Sequence, residues 1–280
     1  MIAPVNKIIP FSSVDGPGNR TSVFLQACNF NCRYCHNPET RNLCISCMAC
    51  DPGCPAGALS EKDGKVVFDY RKCIACDNCI KICRYGASPR IRELTPEETM
   101  AEIRKQVPYI RGITVSGGEC TLYPEFIEEL FSLCKKEGLG TLIDSNGTID
   151  FEKNPGLLKN CDGVMLDVKA WDREDHKKLT DQDNDMVLKN LDFLGRVGKL
   201  YEVRTVVVPG FYNVEKTVEN VSRTIVKYQD IKDIRYKLIT YRPMGVREEF
   251  RKVLKAPSKE YMEELRQKSL SCGVRTVVCV

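Results

Sequence analysis

Two cysteine quartets, repeated at a fixed offset, constrain this chain more than any other feature. Cys44, Cys47, Cys50 and Cys54 lie in CISCMACDPGCP, and Cys73, Cys76, Cys79 and Cys83 in CIACDNCIKIC. Each quartet reads C-x2-C-x2-C-x3-C, and the second starts 29 residues after the first. The pair Gly57-Ala58 recurs at the same offset as Gly86-Ala87. A stretch as short as 41–92 is too small for a conventional hydrophobic core, so whatever the thiols bind has to hold it. The chain has 16 cysteines in 280 residues and only two histidines. In an intracellular chain such thiols read as metal ligands, and soft thiolates without imidazole select zinc or iron–sulfur.

The spacing matches that of bacterial ferredoxins, where the fourth cysteine of each run ligates the other cluster. It predicts Cys44, Cys47, Cys50 and Cys83 on one [4Fe–4S] cluster, and Cys73, Cys76, Cys79 and Cys54 on a second. The proline that follows the fourth cysteine is present as Pro55 but replaced by Arg84 in the second copy. A pair of structural zinc sites is the bland alternative, disfavoured by two full copies of the run. Charge agrees. The chain carries 42 Lys plus Arg against 38 Asp plus Glu, and the whole excess of +4 falls in 41–92. Basic side chains there offset thiolate charge, which accounts for the excess better than a nucleic-acid surface does.

A third group, Cys28, Cys32 and Cys35 in CNFNCRYC, is spaced C-x3-C-x2-C. Three thiolates leave one iron of a cubane without a protein ligand, and an open metal position is a place for chemistry. Tyr34 stands where it can pack against an adenine ring. A chance grouping in a cysteine-rich chain is the competing reading. The scattered Cys120, Cys134, Cys161, Cys272 and Cys279 are expected to be buried small apolar residues. His176 and Trp171 are expected to serve packing or surface.

With its aromatic before the third cysteine, C-x3-C-x2-C resembles the radical S-adenosylmethionine (SAM) superfamily. The run FSSVDGPGNRTSVFLQACNFNCRYCHNPET resembles the N-terminal segment of glycyl radical enzyme activases of the pyruvate formate-lyase activase type. The insert after Cys35-His36-Asn37 is similar to that of the YjjW-like activases with two extra clusters. The resemblance implies three [4Fe–4S] clusters and SAM as cofactors, with Cys28, Cys32 and Cys35 holding the catalytic cluster. It places Gly117, Gly118 and Glu119 of ITVSGGE at the SAM amino group. Asp167, Val168 and Lys169 of VMLDVK become SAM contacts, joined by Tyr34, Cys35, His36 and Arg204. Arg242, in YRPMG, stands where the relative has a histidine and is expected to donate to ribose or adenine. Asp144, Ser145, Met165 and Asp167 match a cation site. Asp15 and Arg20, in DGPGNR, are candidates for shaping the entrance for a substrate peptide. The family's Gln-Gly-Cys is Gln26-Ala27-Cys28 here.

Strand and helix patterns alternate along the rest of the chain. TSVFLQA (21–27) reads as a strand. Thr95, Pro96 and Glu98 form a capping-box signature before a helix with an Ile103, Val107, Ile110 stripe. ITVSG, TLIDS, GVMLDVK, LYEVRTVVVP and DIRYKLITY read as further strands, with a helix over 124–136 and another near 258–271. Alternation of this kind implies a parallel sheet with helices outside. About six units are too few for an eight-stranded barrel. The expected fold is α/β: a partial, open (βα)6 TIM-type barrel over 1–40 and 93–280, with a ferredoxin-like α+β lobe at 41–92.

The activity implied by the resemblance is reductive cleavage of SAM to a 5′-deoxyadenosyl radical, which abstracts a Cα hydrogen from a glycine of a partner enzyme. An electron donor such as flavodoxin or ferredoxin would supply the insert clusters, whose alternative role is structural. Two other classes stay open: a radical SAM enzyme acting on a small molecule or peptide, and a non-catalytic iron–sulfur electron carrier. No stretch approaches the roughly 18 apolar residues of a membrane helix, and MIAPVNKIIPF lacks a secretion pattern. The expectation is a cytoplasmic monomer that binds neither nucleic acid nor membrane.

Overall fold

The apolar runs that follow the glycines at 112, 140 and 163 each form a strand buried along nearly its whole length, as parallel strands covered on both faces must be. The computed structural model describes residues 1–280. Its strands are β1 (Ala3–Ser12), β2 (Arg20–Leu25), β3 (Leu59–Lys62), β4 (Lys65–Phe68), β5 (Arg92–Leu94), β6 (Gly112–Gly117), β7 (Gly140–Ser145), β8 (Gly163–Asp167), β9 (Leu200–Val207), β10 (Arg235–Thr240) and β11 (Thr276–Cys279). Its helices are α1 (Asn78–Ile82), α2 (Pro96–Arg104), α3 (Pro124–Lys136), α4 (Pro155–Lys159), α5 (Arg173–Thr180), α6 (Asp185–Arg196), α7 (Val214–Val226), α8 (Glu248–Arg251) and α9 (Lys259–Ser271).

Nine strands form one sheet in the order β11-β10-β9-β8-β7-β6-β2-β1-β5. From β2 through β11 the neighbours run parallel, while β1 pairs antiparallel with both β2 and β5. The sheet ends in two free edges, so the barrel is partial. Six strands, β2 and β6 to β10, precede helices, and β11 closes the series. One hydrophobic cluster of 52 buried residues fills the space between sheet and helices.

Several local expectations need correction. The first barrel strand stops at Leu25 rather than at residue 27, because Ala27 turns into the left-handed region at φ 79°. The capping box at Thr95 forms in both directions, 3.1 and 2.8 Å. Its helix ends at Arg104, and Val107–Tyr109 is a separate 3₁₀ turn containing Pro108, which has no N–H to continue the helix. Strands β1 and β5 escaped the sequence reading. Cys120, Cys134 and Cys161 are buried, whereas Cys272 and Cys279 are only half-buried.

In 41–92, β3 and β4 form a hairpin and α1 is a short helix. This segment has its own small buried cluster of Cys50, Leu59 and Cys79. Its two ends return to the barrel together. Asn42 and Ala87 form an isolated parallel bridge, and the Ser88 amide donates to the Glu39 carbonyl at 2.8 Å.

At the N-terminal end of the barrel, Arg20 is buried. Its Nε donates to Thr114 Oγ1 at 3.0 Å and its Nη2 to the Ile113 carbonyl at 2.6 Å. The guanidinium lies against Gly112 and Gly140; a side chain at Gly112 would collide with it and with the neighbouring strand, while one at Gly140 would fit tightly.

Candidate functional site

Parallel strands deliver their C-terminal ends to one rim, and there the loop after β2 carries the three cysteines. The loop's base is held by Gln26, which is fully buried. Its Nε2 donates to the carbonyls of Glu39 and Asn42, both at 2.7 Å, and its Oε1 accepts from Asn6 at 2.8 Å. The amides of Ala27 and Cys28 donate to the carbonyls of Thr40 and Arg41, each at 2.9 Å. The loop's far side rests on the end of α5, through amides of Asn31 and Arg33 donating to Thr180 and Leu179. Phe30 packs edge-on against His176, 5.2 Å between centroids. The Phe30 amide donates to Cys28 Sγ at 3.4 Å.

One cavity of about 650 Å³ gathers Cys28, Cys32, Tyr34, Cys35, His36, Gly117, Gly118, Glu119, Asp144, Ser145, Asp167, Lys169 and Arg204. Five chain regions far apart in sequence therefore meet at one mouth. Burial pushes the thiol of Cys28 up to about 12, helped by Glu119, and that of Cys32 to about 11; Cys35 is raised as well. Free thiols here stay protonated, and a bound metal has to displace those protons.

Lys169 donates to Asp167 at 2.8 Å, the pair standing two residues apart at the end of β8. Burial opposes the ammonium, yet Asp167, Cys32 and Tyr34 hold its pKa well above the ordinary lysine value. Arg204 donates from Nη1 to Asp144 at 2.9 Å and from Nε to the fully buried Glu202 at 2.5 Å. Against burial, those two carboxylates raise its pKa. Burial raises the pKa of Asp144 in turn. The result is two fixed cations with their own counter-charges at the cavity wall. The Tyr34 hydroxyl is buried without a hydrogen-bond partner.

The glycine pair has a reason other than a ligand. A Cβ on Gly117 or Gly118 would collide with the Leu25 or Ala27 backbone. The Gly118 and Glu119 amides donate to the Leu25 and Ala27 carbonyls at 2.9 and 2.7 Å. Glu119 is buried, and its carboxylate serves the protein itself. It accepts from Thr121 Oγ1 at 2.5 Å, from Ser145 Oγ at 2.9 Å and from the Asn146 amide at 2.6 Å. Burial raises its pKa, and these donors pull the other way. Glu119 thereby fixes the end of β7 beside the cysteine loop.

Other expected positions fall elsewhere. Val168 is buried outside the cavity, its amide bonded to the Arg204 carbonyl at 2.9 Å. Arg242 is exposed and outside the cavity; its backbone carbonyl, not its side chain, meets His36 Nε2 at 3.0 Å. The four positions matched to a cation site are otherwise engaged: Asp144 with Arg204 and Ser116, Asp167 with Lys169, Ser145 with Glu119, and Met165 Sδ with Arg204 Nη2 at 2.9 Å. Arg20 lies outside the cavity, at the N-terminal end of the barrel, and Asp15 lines the cavity while accepting from Ser12 and Ser22 at 2.6 and 2.7 Å.

Among the cavity residues that escaped the sequence reading, three make notable contacts or carry charge. Asn146 donates to Cys28 Sγ at 3.8 Å and to Asn29 at 3.0 Å; its place in LIDSNG was the available signal. Arg41 donates to Asn31 Oδ1 at 2.7 Å, and Arg247 lines the cavity beside the same loop.

In the insert, a smaller cavity brings Cys54 together with Cys73, Cys76 and Cys79. Burial, with Cys79, Cys44 and Cys83 nearby, pushes Cys50 up to about 11. The repeat extends to the backbone. Ser46 and Ala75, Met48 and Asp77, and Gly57 and Gly86 all have positive φ. Amides of Ser46 and Ala75 donate to Cys44 and Cys73 at 3.4 Å, and those of Ala58 and Ala87 to Cys54 and Cys83 at 3.3 and 3.4 Å.

Comparison with known proteins adds to this geometry. Residues 22–221 match the model of the Radical SAM superfamily. The indoleacetate decarboxylase activating enzyme of Tractidigestivibacter scatoligenes is 32% identical over 245 residues, covering 79% of this chain and 78% of the relative. The (2S)-3-sulfopropanediol dehydratase activating enzyme of Klebsiella oxytoca is 35% identical over 236 residues, covering 76% and 73%. Among solved structures, a domain of the pyruvate-formate lyase-activating enzyme of Bacteroides vulgatus superposes with a TM-score of 0.52 at 20% identity, over 60% of this chain and 98% of that one.

Proposed function

Since the chain belongs to the radical SAM superfamily and, within it, to the glycyl radical enzyme activating enzymes, we propose that it activates a glycyl radical enzyme by removing a hydrogen atom from the Cα of one partner glycine. The observation that carries this reading is the single cavity that joins the three cysteines to Asp167, Lys169 and Arg204. The residues present fit the groups the family uses: three thiols lining one cavity, a buried tyrosine hydroxyl awaiting a partner, and two cations set in place. Cys28, Cys32 and Cys35 would hold a [4Fe–4S] cluster, and Tyr34, His36, Gly117, Gly118, Lys169 and Arg204 would hold SAM. When bound, the pair supplies one-electron cleavage of the sulfonium and a 5′-deoxyadenosyl radical.

The chain's own contribution is position and exclusion of water. Lys169 and Arg204 present positive charge already oriented by Asp167, Asp144 and Glu202, so binding an anionic carboxylate there requires little rearrangement. Glu119 locks the β7 end against the cysteine loop. Phe24, Val206 and Ile239 add apolar wall where the partial barrel is open, which suits a polypeptide loop and a reactive radical that water must not reach.

Residues 41–92 are proposed as a separate unit holding two further [4Fe–4S] clusters, on Cys44, Cys47, Cys50 and Cys83 and on Cys73, Cys76, Cys79 and Cys54. Support comes from the cavity shared by Cys54, Cys73, Cys76 and Cys79, the position of Cys50 near Cys79, Cys44 and Cys83, and the repeated N–H···S bonds. These clusters would pass electrons from a flavodoxin or ferredoxin to the cysteine loop. No helix is long and apolar enough to cross a membrane; we place the enzyme in the cytoplasm, acting as a monomer.

The test is anaerobic reconstitution followed by incubation with SAM, a reductant and the candidate partner. A glycyl radical signal in electron paramagnetic resonance, matched by 5′-deoxyadenosine release, is the expected result. Release of 5′-deoxyadenosine with no partner radical, for every glycyl radical enzyme encoded alongside, would overturn it in favour of a small-molecule substrate.

A further inference from the structure

The loop after β10 crosses the mouth and lands on the cysteine loop. Gly245 has φ 79°, and a Cβ there would overlap the His36 carbonyl. Two residues further, Arg247 lays its guanidinium over the Phe250 ring, 4.6 Å from the centroid, a ring that Arg33 also covers at 5.0 Å. Arg247 Nη2 donates to the carbonyls of Asn31 and Cys32 at 3.4 and 3.3 Å. The Cys32 carbonyl is also the acceptor for the Cys35 amide at 3.2 Å. Arg247 therefore grips the carbonyl that closes the turn between the second and third cysteines. Its Nε is buried and has no hydrogen-bond partner in the protein, the Glu249 carboxylate standing 4.0 Å away, although the side chain lines the same cavity as Cys32 and Cys35. An unused buried donor on a cation is costly unless something anionic accepts from it.

We propose that Arg247 is a positioning residue of the cysteine triad: it fixes the Cys32–Cys35 turn and places a positive charge with an unspent N–H beside the anionic centre those cysteines hold. This rests on the reading that Cys28, Cys32 and Cys35 bind a [4Fe–4S] cluster. A nearby guanidinium favours the reduced, more negative state of such a centre. Removing it makes the centre harder to reduce, whatever happens to SAM binding. Arg41 does not duplicate this role, since it is engaged by the Asn31 side chain.

The experiment compares Arg247→Gln and Arg247→Lys, reconstituted anaerobically, by redox titration of the SAM-responsive cluster followed by electron paramagnetic resonance. Iron content and apo-protein melting are measured alongside. Arg247→Gln is expected to lower the midpoint potential and slow 5′-deoxyadenosine release about tenfold, the scale of one lost charge-assisted hydrogen bond. Arg247→Lys is expected to restore the potential while recovering the rate only partly. Met244→Ala, exposed on the same loop, should change neither. An unaltered potential and spectrum in Arg247→Gln overturns the proposal. So does equal loss of iron in both variants with a parallel fall in apo-protein melting, the mark of a merely structural residue. The Cys28/Cys32/Cys35→Ala variant separates the two layers. If it loses the SAM-responsive signal while Arg247→Gln titrates like the parent, only the role of Arg247 falls; if it keeps that signal, the cluster reading falls first.

Discussion

The barrel mouth and the insert both present cysteines in short turns with backbone N–H groups aimed at sulfur, yet they rest on different foundations. Behind the mouth stands a cluster of 52 buried residues, and the cysteine loop is fastened to it by Gln26, Thr180 and Leu179. Behind the insert's quartets stand three buried residues, Cys50, Leu59 and Cys79, two of which are proposed ligands. In one region the fold shapes the site. In the other the site has to shape the fold, because three side chains bury too little apolar surface to offset the ordering of some fifty residues.

The comparison can be broken most directly at the mouth. Cys32→Ala is expected to abolish 5′-deoxyadenosine release while the barrel's thermal transition persists; a barrel that unfolds instead would show that this region too depends on its metal. Next in size is iron removal. Anaerobic chelation should strip amide-exchange protection from 41–92, with protection of β6 to β9 retained. Equal loss in both regions would erase the distinction.

A smaller effect tests the mouth's own support. His176 is buried, with Nδ1 2.8 Å from the Gln182 carbonyl and no partner for Nε2. Burial lowers its pKa from 6.5 to about 4. Because the folded value lies below the unfolded one, its neutral form is favoured on folding. Stability is then lost as pH falls from about 6.5 towards 4, by roughly 2–3 kcal/mol. Denaturant melts of the parent and His176→Phe across that range check this, the variant showing the shallower acid loss. The smallest effect sits where strand becomes cysteine loop. Ala27 occupies a left-handed conformation, so Ala27→Gly should stabilise the protein by about 1 kcal/mol in the same melts.

Features set by neighbours in sequence are legible from the chain alone. Cysteine spacing is a property of local turns, and the motifs at 117–119, 144–145 and 167–169 lie at strand ends, which a parallel sheet necessarily gathers on one rim. Features set by distant contacts are not. Nothing in DGPGNR shows that Arg20 turns inward over Gly112 and Gly140, and nothing in YRPMGVREEF shows that Arg247 reaches Cys32. Strand β1 is hidden by its composition: Pro4 and Pro10 interrupt it, and its pairing with β2 shifts register twice, so the alternation that marks a strand is lost. The carboxylate of Glu119 illustrates the same limit, since a glutamate after two glycines reads equally well as a ligand contact or as an internal brace.

Arg20 across its glycine-lined rim has a consequence for traffic. A buried guanidinium bonded to Thr114 and Ile113 leaves small molecules no path beside β2, β6 and β7 at that end, so under the proposed function they would enter and leave at the opposite rim, where a partner's loop would also sit. Loading of small molecules, docking of the partner and departure of products would then share that rim, which would favour an order in the cycle without any moving part.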